Sequence, residues 1–357
     1  MSDNRGWSNS GRATAAAEID IRYGHQLLQR ASAGWPRYLA ITSPSAYQAA
    51  QPHLTTPPSG VAYIRSLDFA YLQQTAAGLP DDAELVVGLG GGQALDAAKH
   101  MAVAKDLPLI QAPTIISTGA IIHGHCARFT GRTMVGNRDN WVWVDCEYVL
   151  VDYDLTLKAP LHLHTAGLGD VLCEYSGIAE WRRNQRNALT PLPDEPALVK
   201  LDEFHASIVE NFPATLNENG QLSAESIHFI MRTLQQRDAH RVRLSSAPNA
   251  DHAFLFALEE ANDKSYIHGE VVALGALIIS WHCNEGADTF AATLDRCRIR
   301  RRPTQMTIGR EELSEGLAYL PEYLSKQPDS SEYASIMRGR PIVGRRFDQL
   351  WEFLENA

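Results

Sequence analysis

A run of glycines between a predicted strand and a predicted helix constrains the fold of this chain more than any other feature. The run extends from Gly88 to Gly92, interrupted only by Leu89, and it follows the apolar segment 84–87, which is typical of a buried strand. A stretch of helix formers, 94–103, comes directly after it. Without a Cβ, backbone N–H groups can approach a phosphate closely, and the positive end of the helix dipole faces the anion. The segment therefore predicts a site for a nucleotide or a phosphate ester.

Predicted strands and helices alternate through the first part of the chain, whereas helical periodicity dominates beyond Pro160. The alternation predicts an α/β nucleotide-binding domain with a parallel, Rossmann-like sheet, and such sheets bind ligands at the carboxyl ends of their strands. We expect a dinucleotide-binding domain over residues 1–157 and an all-α, metal- and substrate-binding domain over residues 158–357. The predicted strands are 38–42, 61–64, 85–87 and 107–111, with an extended segment at 141–151; the predicted helices are 67–78, 94–103, 170–186, 196–212, 222–238, 252–262 and 269–284.

Composition narrows the classes of partner. The 357 residues carry a net charge of −10, which argues against nucleic acid or an anionic membrane. The segment 296–302, by contrast, is rich in arginine. Either a solvated helix face or a local set of salt bridges explains this positive cluster. Five cysteines without a CxxC pair predict reduced thiols. No signal peptide is visible, and the longest apolar run, 271–281, is too short to span a bilayer, so we expect a cytoplasmic protein.

Three residues of the helical part could together hold a divalent metal: Asp170, His252 and His268. One carboxylate and two imidazoles leave coordination positions open for a substrate oxygen, and such ligands suit Zn²⁺, Fe²⁺ or Ni²⁺ about equally. A histidine on an apolar helix is also commonly a hydrogen-bonded core residue. From the spacing alone, both interpretations of these two histidines stay open.

Several separate motifs occur in an order that resembles a known superfamily. Between about residues 20 and 285 they are similar to those of the iron-containing alcohol dehydrogenase/dehydroquinate synthase-like superfamily, and especially to its sn-glycerol-1-phosphate dehydrogenase and glycerol dehydrogenase branches. The segments 169–175 and 180–182 look more like the glycerol-1-phosphate branch. The motifs are Tyr23-Gly24, the glycine run with Asp96 and Lys99, Pro113-Thr114, Ser117-Thr118, Ala166 to Asp170, His252, and His268-Gly269-Glu270.

The resemblance implies that a nicotinamide cofactor (NAD or NADP) and one divalent metal meet in a cleft between two domains. It implies hydride transfer between nicotinamide and a secondary alcohol of a small polyol or polyol phosphate, in a protein expected to be a homo-oligomer. Asp96 and Lys99 would support the glycine loop or contact the cofactor. The implied metal ligands are Asp170, His252 and His268, and the implied cofactor-binding residues are Gly90, Gly91, Gly92, Gln93, Asp96, Thr114, Ser117 and Thr118.

The chain departs from the superfamily pattern at two positions. Gly119 stands where these dehydrogenases usually carry a substrate-binding aspartate, and two histidines, His123 and His125, follow it. Imidazoles near a cleft could transfer protons or bind an acidic substrate, or they could belong to a polar loop that meets only solvent and backbone. After the first long strand the chain has Ser43 rather than an acid that would hold the ribose hydroxyls, so both NAD and NADP stay open.

Two alternatives to a dehydrogenase follow from the same motifs. A sugar-phosphate cyclase of the dehydroquinate synthase type uses NAD transiently, but it typically has a histidine where this chain has Phe256, and a lysine-rich substrate loop. Here no lysine occurs between Pro113 and Arg132. The second alternative is a member that only binds nucleotide, and the presence of all three metal positions argues against it.

Overall fold

The first part of the chain forms a parallel sheet. In a computed structural model, residues 19–126, 128–131, 133–135, 142–186, 195–241, 250–327 and 335–356 are described. Among them, six parallel strands form the main sheet in the order β1-β10-β5-β4-β2-β3, while β6 pairs with β9 and β7 with β8, both antiparallel. The strands are β1 (Ile21–Gly24), β2 (Tyr38–Thr42), β3 (Gly60–Tyr63), β4 (Leu85–Gly90), β5 (Leu109–Pro113), β6 (His125–Cys126), β7 (Arg128–Thr130), β8 (Thr133–Val135), β9 (Val142–Trp143) and β10 (Tyr148–Asp152).

Helices cover both faces of this sheet. Alternate residues of β2 enter two different cores: Leu39 and Ile41 pack with one group of buried side chains, and Tyr38 and Ala40 with the other. Every residue of β2 is buried, as a sheet covered on both faces requires. The helices of this part are α1 (Leu27–Ser32), α2 (Pro44–Ala50), α3 (Phe69–Ala77), α4 (Gly92–Lys105) and α5 (Tyr153–Thr156).

The rest of the chain is helical in the part that the structure describes. The predicted fold class, an α/β part with a parallel sheet followed by helices, is confirmed. The helices are α6 (Leu161–Leu172), α7 (Glu174–Arg186), α8 (Glu195–Thr215), α9 (Ala224–Arg241), α10 (Ala250–Asn262), α11 (His268–Cys283), α12 (Ala287–Arg296), α13 (Arg310–Lys326) and α14 (Arg345–Asn356).

One large core belongs to both parts. It contains the sheet residues Val149 and Val151 together with Leu168 of α6 and most of the apolar side chains of α11. The boundary between residues 157 and 158 stays a prediction, because this core crosses it.

The structure also bears on three expectations from composition. Arg300 pairs with Glu270 and Arg301 with Asp295, so the arginine-rich segment forms local salt bridges. The cysteines whose side chains are described are free thiols: Cys146, Cys173, Cys283 and Cys297. None of the described helices combines the length and the apolar composition needed to cross a bilayer.

Candidate metal and cofactor site

The glycine loop joins the end of β4 to the start of α4, at the carboxyl edge of the sheet. Its backbone lies so close to the next loop that side chains would not fit: a Cβ on Gly92 would lie 2.8 Å from Thr118 Oγ1, and one on Gly91 would lie 2.9 Å from Ile115 Cδ1. Thr114 donates its N–H to the Gly90 carbonyl oxygen over 3.0 Å. The residues predicted to bind the cofactor, Gly90 to Gln93 with Thr114, Ser117 and Thr118, are therefore brought to one edge of the sheet.

The side chain of Lys99 links helix α4, which follows the glycine loop, to the loop that follows Thr118. Its side chain is buried (1 % exposed), and Nζ donates to Asp96 Oδ1 over 2.9 Å and to the Ala120 carbonyl oxygen over 2.8 Å. Ala120 belongs to a short 3₁₀ turn, Gly119–Ile121, which follows Thr118. The geometry thus favours a supporting role for Asp96 and Lys99 over direct contact with the cofactor.

Two helices of the second part touch through their backbones. A Cβ on Gly169 of α6 would lie 2.4 Å from the Gly269 carbonyl oxygen, and one on Gly269 of α11 would lie 1.8 Å from the Ala166 carbonyl oxygen. Glycine at both positions is what permits this approach. As a result, Asp170 and His268, which neighbour these glycines, face each other.

The three predicted metal ligands converge. Asp170 is buried (3 % exposed), and its Oδ1 lies 3.5 Å from His268 Nε2 and 3.8 Å from His252 Nε2. The two imidazole rings are 5.1 Å apart between centroids. A tetrahedral ion with bonds of roughly 2.0–2.2 Å places its ligand atoms roughly 3.3–3.6 Å apart, close to these spacings. These two spacings suit a divalent metal held between the Asp170 carboxylate and the imidazoles.

Asp251 orients one of the imidazoles, and the motifs did not single it out. Its Oδ1 lies 2.8 Å from His252 Nδ1, which leaves Nε2 of that ring directed at Asp170. Ser176 Oγ donates to the other carboxylate oxygen over 2.8 Å. A carboxylate behind a ligating imidazole fixes its tautomer and raises its basicity. The position of this acid, immediately before His252 in the sequence, is the feature from which its role could have been predicted.

Cys173 lies close to this cluster, one turn after Asp170. Its Sγ, an Asp170 carboxylate oxygen and a His252 ring nitrogen all lie within 4.8 Å of one another. Sγ donates to the Asp170 backbone carbonyl over 3.1 Å. Burial, together with the carboxylates of Asp251 and Asp170, raises the pKa of this thiol well above its usual value. The thiol therefore lies within reach of the same ion as Asp170 and His252, and a bound metal would deprotonate it.

Arg237 of α9 forms an ion pair with the predicted metal ligand Asp170. Its Nη1 lies 2.8 Å from Asp170 Oδ2, and the Gly119 N–H donates to the same oxygen over 3.2 Å. Burial alone would raise the pKa of Asp170, but the guanidinium of Arg237, with the nearby imidazoles, holds it well below its usual range. The carboxylate is therefore ionised near neutral pH, as a metal ligand must be.

The space at Gly119 is filled by His123 and Arg237. A Cβ there would lie 2.5 Å from His123 Nε2 and 2.6 Å from Arg237 Nη2, and these two nitrogens are 3.1 Å apart. A guanidinium only donates, so His123 Nε2 accepts and the ring proton is on Nδ1. His123 thus lies at the site. His125 is part of β6, but its side chain lies outside the described residues.

The chain is similar to known dehydrogenases. No family model matches the chain. It is 25 % identical over 201 residues to a glycerol-1-phosphate dehydrogenase [NAD(P)+] of Methanothrix thermoacetophila, a match that covers 56 % of the chain and 54 % of that relative. It is 27 % identical over 296 residues to the enzyme of the same name from Thermofilum pendens, which covers 72 % of the chain and 80 % of that relative.

The chain is a homologue of glycerol-1-phosphate dehydrogenases. In its alignment with the Methanothrix thermoacetophila enzyme, the chain spans about half, 54 %, of that relative's length. A probable glycerol dehydrogenase from Sinorhizobium meliloti has the same fold, with a TM-score of 0.65 and 19 % identity over 95 % of this chain and 98 % of that one. The resemblance to the superfamily is confirmed by these homologues and by the fold.

Proposed function

We propose that this homologue is a metal-dependent, NAD(P)-linked dehydrogenase that acts on a secondary alcohol of a small polyol or polyol phosphate. One observation carries the proposal: a single loop joins the two halves of the site. Thr118 lies against Gly92 of the glycine loop, and the next residue, Gly119, donates its N–H to the predicted metal ligand Asp170. A cofactor on the glycine loop would therefore lie beside the Asp170 cluster.

Each part of the site has a distinct role in this proposal. A divalent metal on Asp170, His252 and His268 would polarise a substrate oxygen, and a nicotinamide cofactor would carry the hydride. The backbone N–H groups from Gly90 to Gln93 bind the pyrophosphate, and Thr114, Ser117 and Thr118 line the cofactor. His123 carries its proton on Nδ1 and would offer it as a hydrogen bond to a substrate oxygen, with His125 as the second substrate-side residue.

Several finer features belong to the same proposal. The metal is Zn²⁺, Fe²⁺ or Ni²⁺, since two imidazoles and a carboxylate suit all three. The cofactor is NAD or NADP, because Ser43 caps α2 through its hydroxyl and places no acid there to reject a 2′-phosphate. We also propose domains at 1–157 and 158–357, a homo-oligomeric assembly and a cytoplasmic location.

The cyclase alternative is not favoured. Phe256, at the position where a cyclase typically has a histidine, is buried against the rings of Phe129 and Tyr323. It offers neither a ligand atom nor a proton.

The proposal is tested with purified protein loaded separately with each of the three metals. Glycerol phosphates, polyols and hydroxy acids are offered with NAD⁺ or NADP⁺, and formation of reduced nicotinamide is followed by absorbance. Net reduction is expected, whereas a cyclase regenerates its cofactor and shows none. His268→Ala should abolish turnover and leave dinucleotide binding unchanged, with His53→Ala as the matched control outside the site. Full activity in His268→Ala would contradict the proposal.

A further inference from the structure

The two oxygens of the Asp170 carboxylate face different partners. Oδ1 faces the imidazoles of His252 and His268, at 3.8 and 3.5 Å. Oδ2 binds Arg237 Nη1 and the Gly119 N–H, at 2.8 and 3.2 Å. One oxygen is thus available to a metal, and the other is held by a permanent cation.

Arg237 is fixed in this position. It is 5 % exposed, and besides Oδ2 its Nη1 donates to the Asp170 backbone carbonyl over 3.3 Å, while Nη2 donates to His123. The missing side chain of Gly119 provides the space for this guanidinium. An arginine does not lose its proton in proteins, and this one is buried and bonded to Asp170 and His123. Its positive charge therefore stays beside Asp170 with or without a metal.

We propose that Arg237 is a positioning residue that sets the metal affinity of the Asp170–His252–His268 cluster, an inference that rests on the proposed metal site. Without a metal, its charge compensates the buried Asp170 carboxylate, which would otherwise be a costly unpaired charge. With a metal bound, Arg237 holds Oδ2, so that Oδ1 is the oxygen available to the ion. The positive charge of Arg237 also repels the ion, because like charges repel strongly where little water screens them. The site consequently binds a divalent ion less tightly than its three ligands alone would, and the protein stays folded when the ion leaves.

Two substitutions separate the charge of Arg237 from its hydrogen bonds. R237Q keeps an amide donor for Asp170 Oδ2 but removes the charge, and R237K keeps the charge with a different shape. Protein stripped by a chelator is titrated with Zn²⁺ against a chromophoric competitor. R237Q is expected to bind Zn²⁺ about 10-fold more tightly than the wild type, and R237K within about 3-fold of it. In excess chelator, R237Q should melt at a lower temperature than the wild type, and saturating Zn²⁺ should raise its Tm by more.

The outcomes of this experiment are distinct. Equal or weaker Zn²⁺ binding by R237Q overturns the role of Arg237 and leaves the proposed function standing. The role is also overturned if R237K behaves like R237Q, since the charge then does not set the affinity. A wild-type protein that binds none of Zn²⁺, Fe²⁺ and Ni²⁺ overturns both. If R237Q does not fold, R237M replaces it: it removes the charge at a similar side-chain length, and the expected change is tighter Zn²⁺ binding, by about 3-fold or more. Unchanged or weaker binding by folded R237M overturns the inference.

Discussion

Gly269 of α11 lies directly against the carbonyl oxygen of Ala166 in α6, where even a methyl group would be only 1.8 Å from that oxygen. Asp170 follows Ala166 by about one helical turn, and His268 immediately precedes Gly269. The distance between two proposed metal ligands therefore depends on a residue that has no side chain. The helix crossing is a part of the site.

Gly269→Ala should separate the two helices. No rotation relieves a Cβ–backbone overlap of this size, so we expect the free energy of unfolding to fall by about 3 kcal/mol or more, with loss of metal binding. Urea unfolding and metal titration measure both effects. Gly339→Ala is the matched control, because nothing lies within 4 Å of its Cβ position. If Gly269→Ala has the same metal affinity and the same free energy of unfolding as Gly339→Ala, the helix crossing does not control the site.

Asp251→Ala should weaken metal binding by about 10- to 100-fold, because His252 would lose the acceptor that fixes its tautomer and orientation. Competition with a chelator measures the change. Asp251→Asn is the control, since its amide oxygen still accepts from Nδ1 and its nitrogen can donate to Ser176; we expect a smaller loss. A full loss in Asp251→Asn would show that negative charge, and not orientation, is what His252 requires.

Lys99→Met should loosen the contact between the glycine loop and the 3₁₀ turn at Gly119–Ile121. Removing the buried ammonium leaves Asp96 and the Ala120 carbonyl without this donor, which costs about 1–3 kcal/mol and weakens nicotinamide-cofactor binding by roughly 10-fold. Chemical unfolding and cofactor fluorescence titration measure the two. Lys105→Met on the same helix is the control: Lys105 pairs with Asp81, whose side chain is 96 % exposed, so a smaller loss of stability is expected. Equal effects would argue against the supporting role.

Glu180 of α7 should make stability depend on pH. Burial raises the pKa of this carboxyl from 4.5 to about 7, although Ser335 Oγ and the Ile336 N–H donate to it. The folded state then binds more protons than the unfolded state between these two values, so the unfolding free energy falls as pH rises, by about 3 kcal/mol across the window. The contribution of Glu180 to the unfolding free energy has its full value below pH 4.5.

Glu180→Gln isolates this contribution, because glutamine keeps the acceptor oxygen but does not titrate. Relative to Glu180→Gln, the wild type should lose unfolding free energy as pH rises from 4.5 to about 7. A constant difference would mean that Glu180 has an ordinary pKa in the folded protein.

Local sequence patterns predicted much of the fold because their causes are local. The strand at 38–42 coincides with β2, and the helix after the glycine run begins at Gly92 and extends to Lys105. The strand predicted at 107–111 is found at Leu109–Pro113, since Pro108 has no N–H to donate to a neighbouring strand. Strand β9 lies in the extended segment predicted at 141–151, but its partner β6 and the pair β7–β8 were not predicted, because two- and three-residue strands carry too little periodicity.

The sequence by itself determined which residues are candidates for the site: a glycine loop after a buried strand, Asp170, and the two histidines His252 and His268. Their type and order carry that information, because ligand chemistry belongs to the side chain. Only the tertiary structure decided how they meet. Arg237 lies 67 residues from Asp170 in the chain, and their ion pair exists because α9 packs on α6 and Gly119 provides the space. No local pattern encodes such a pair, since the free energy that holds it comes from packing between distant helices.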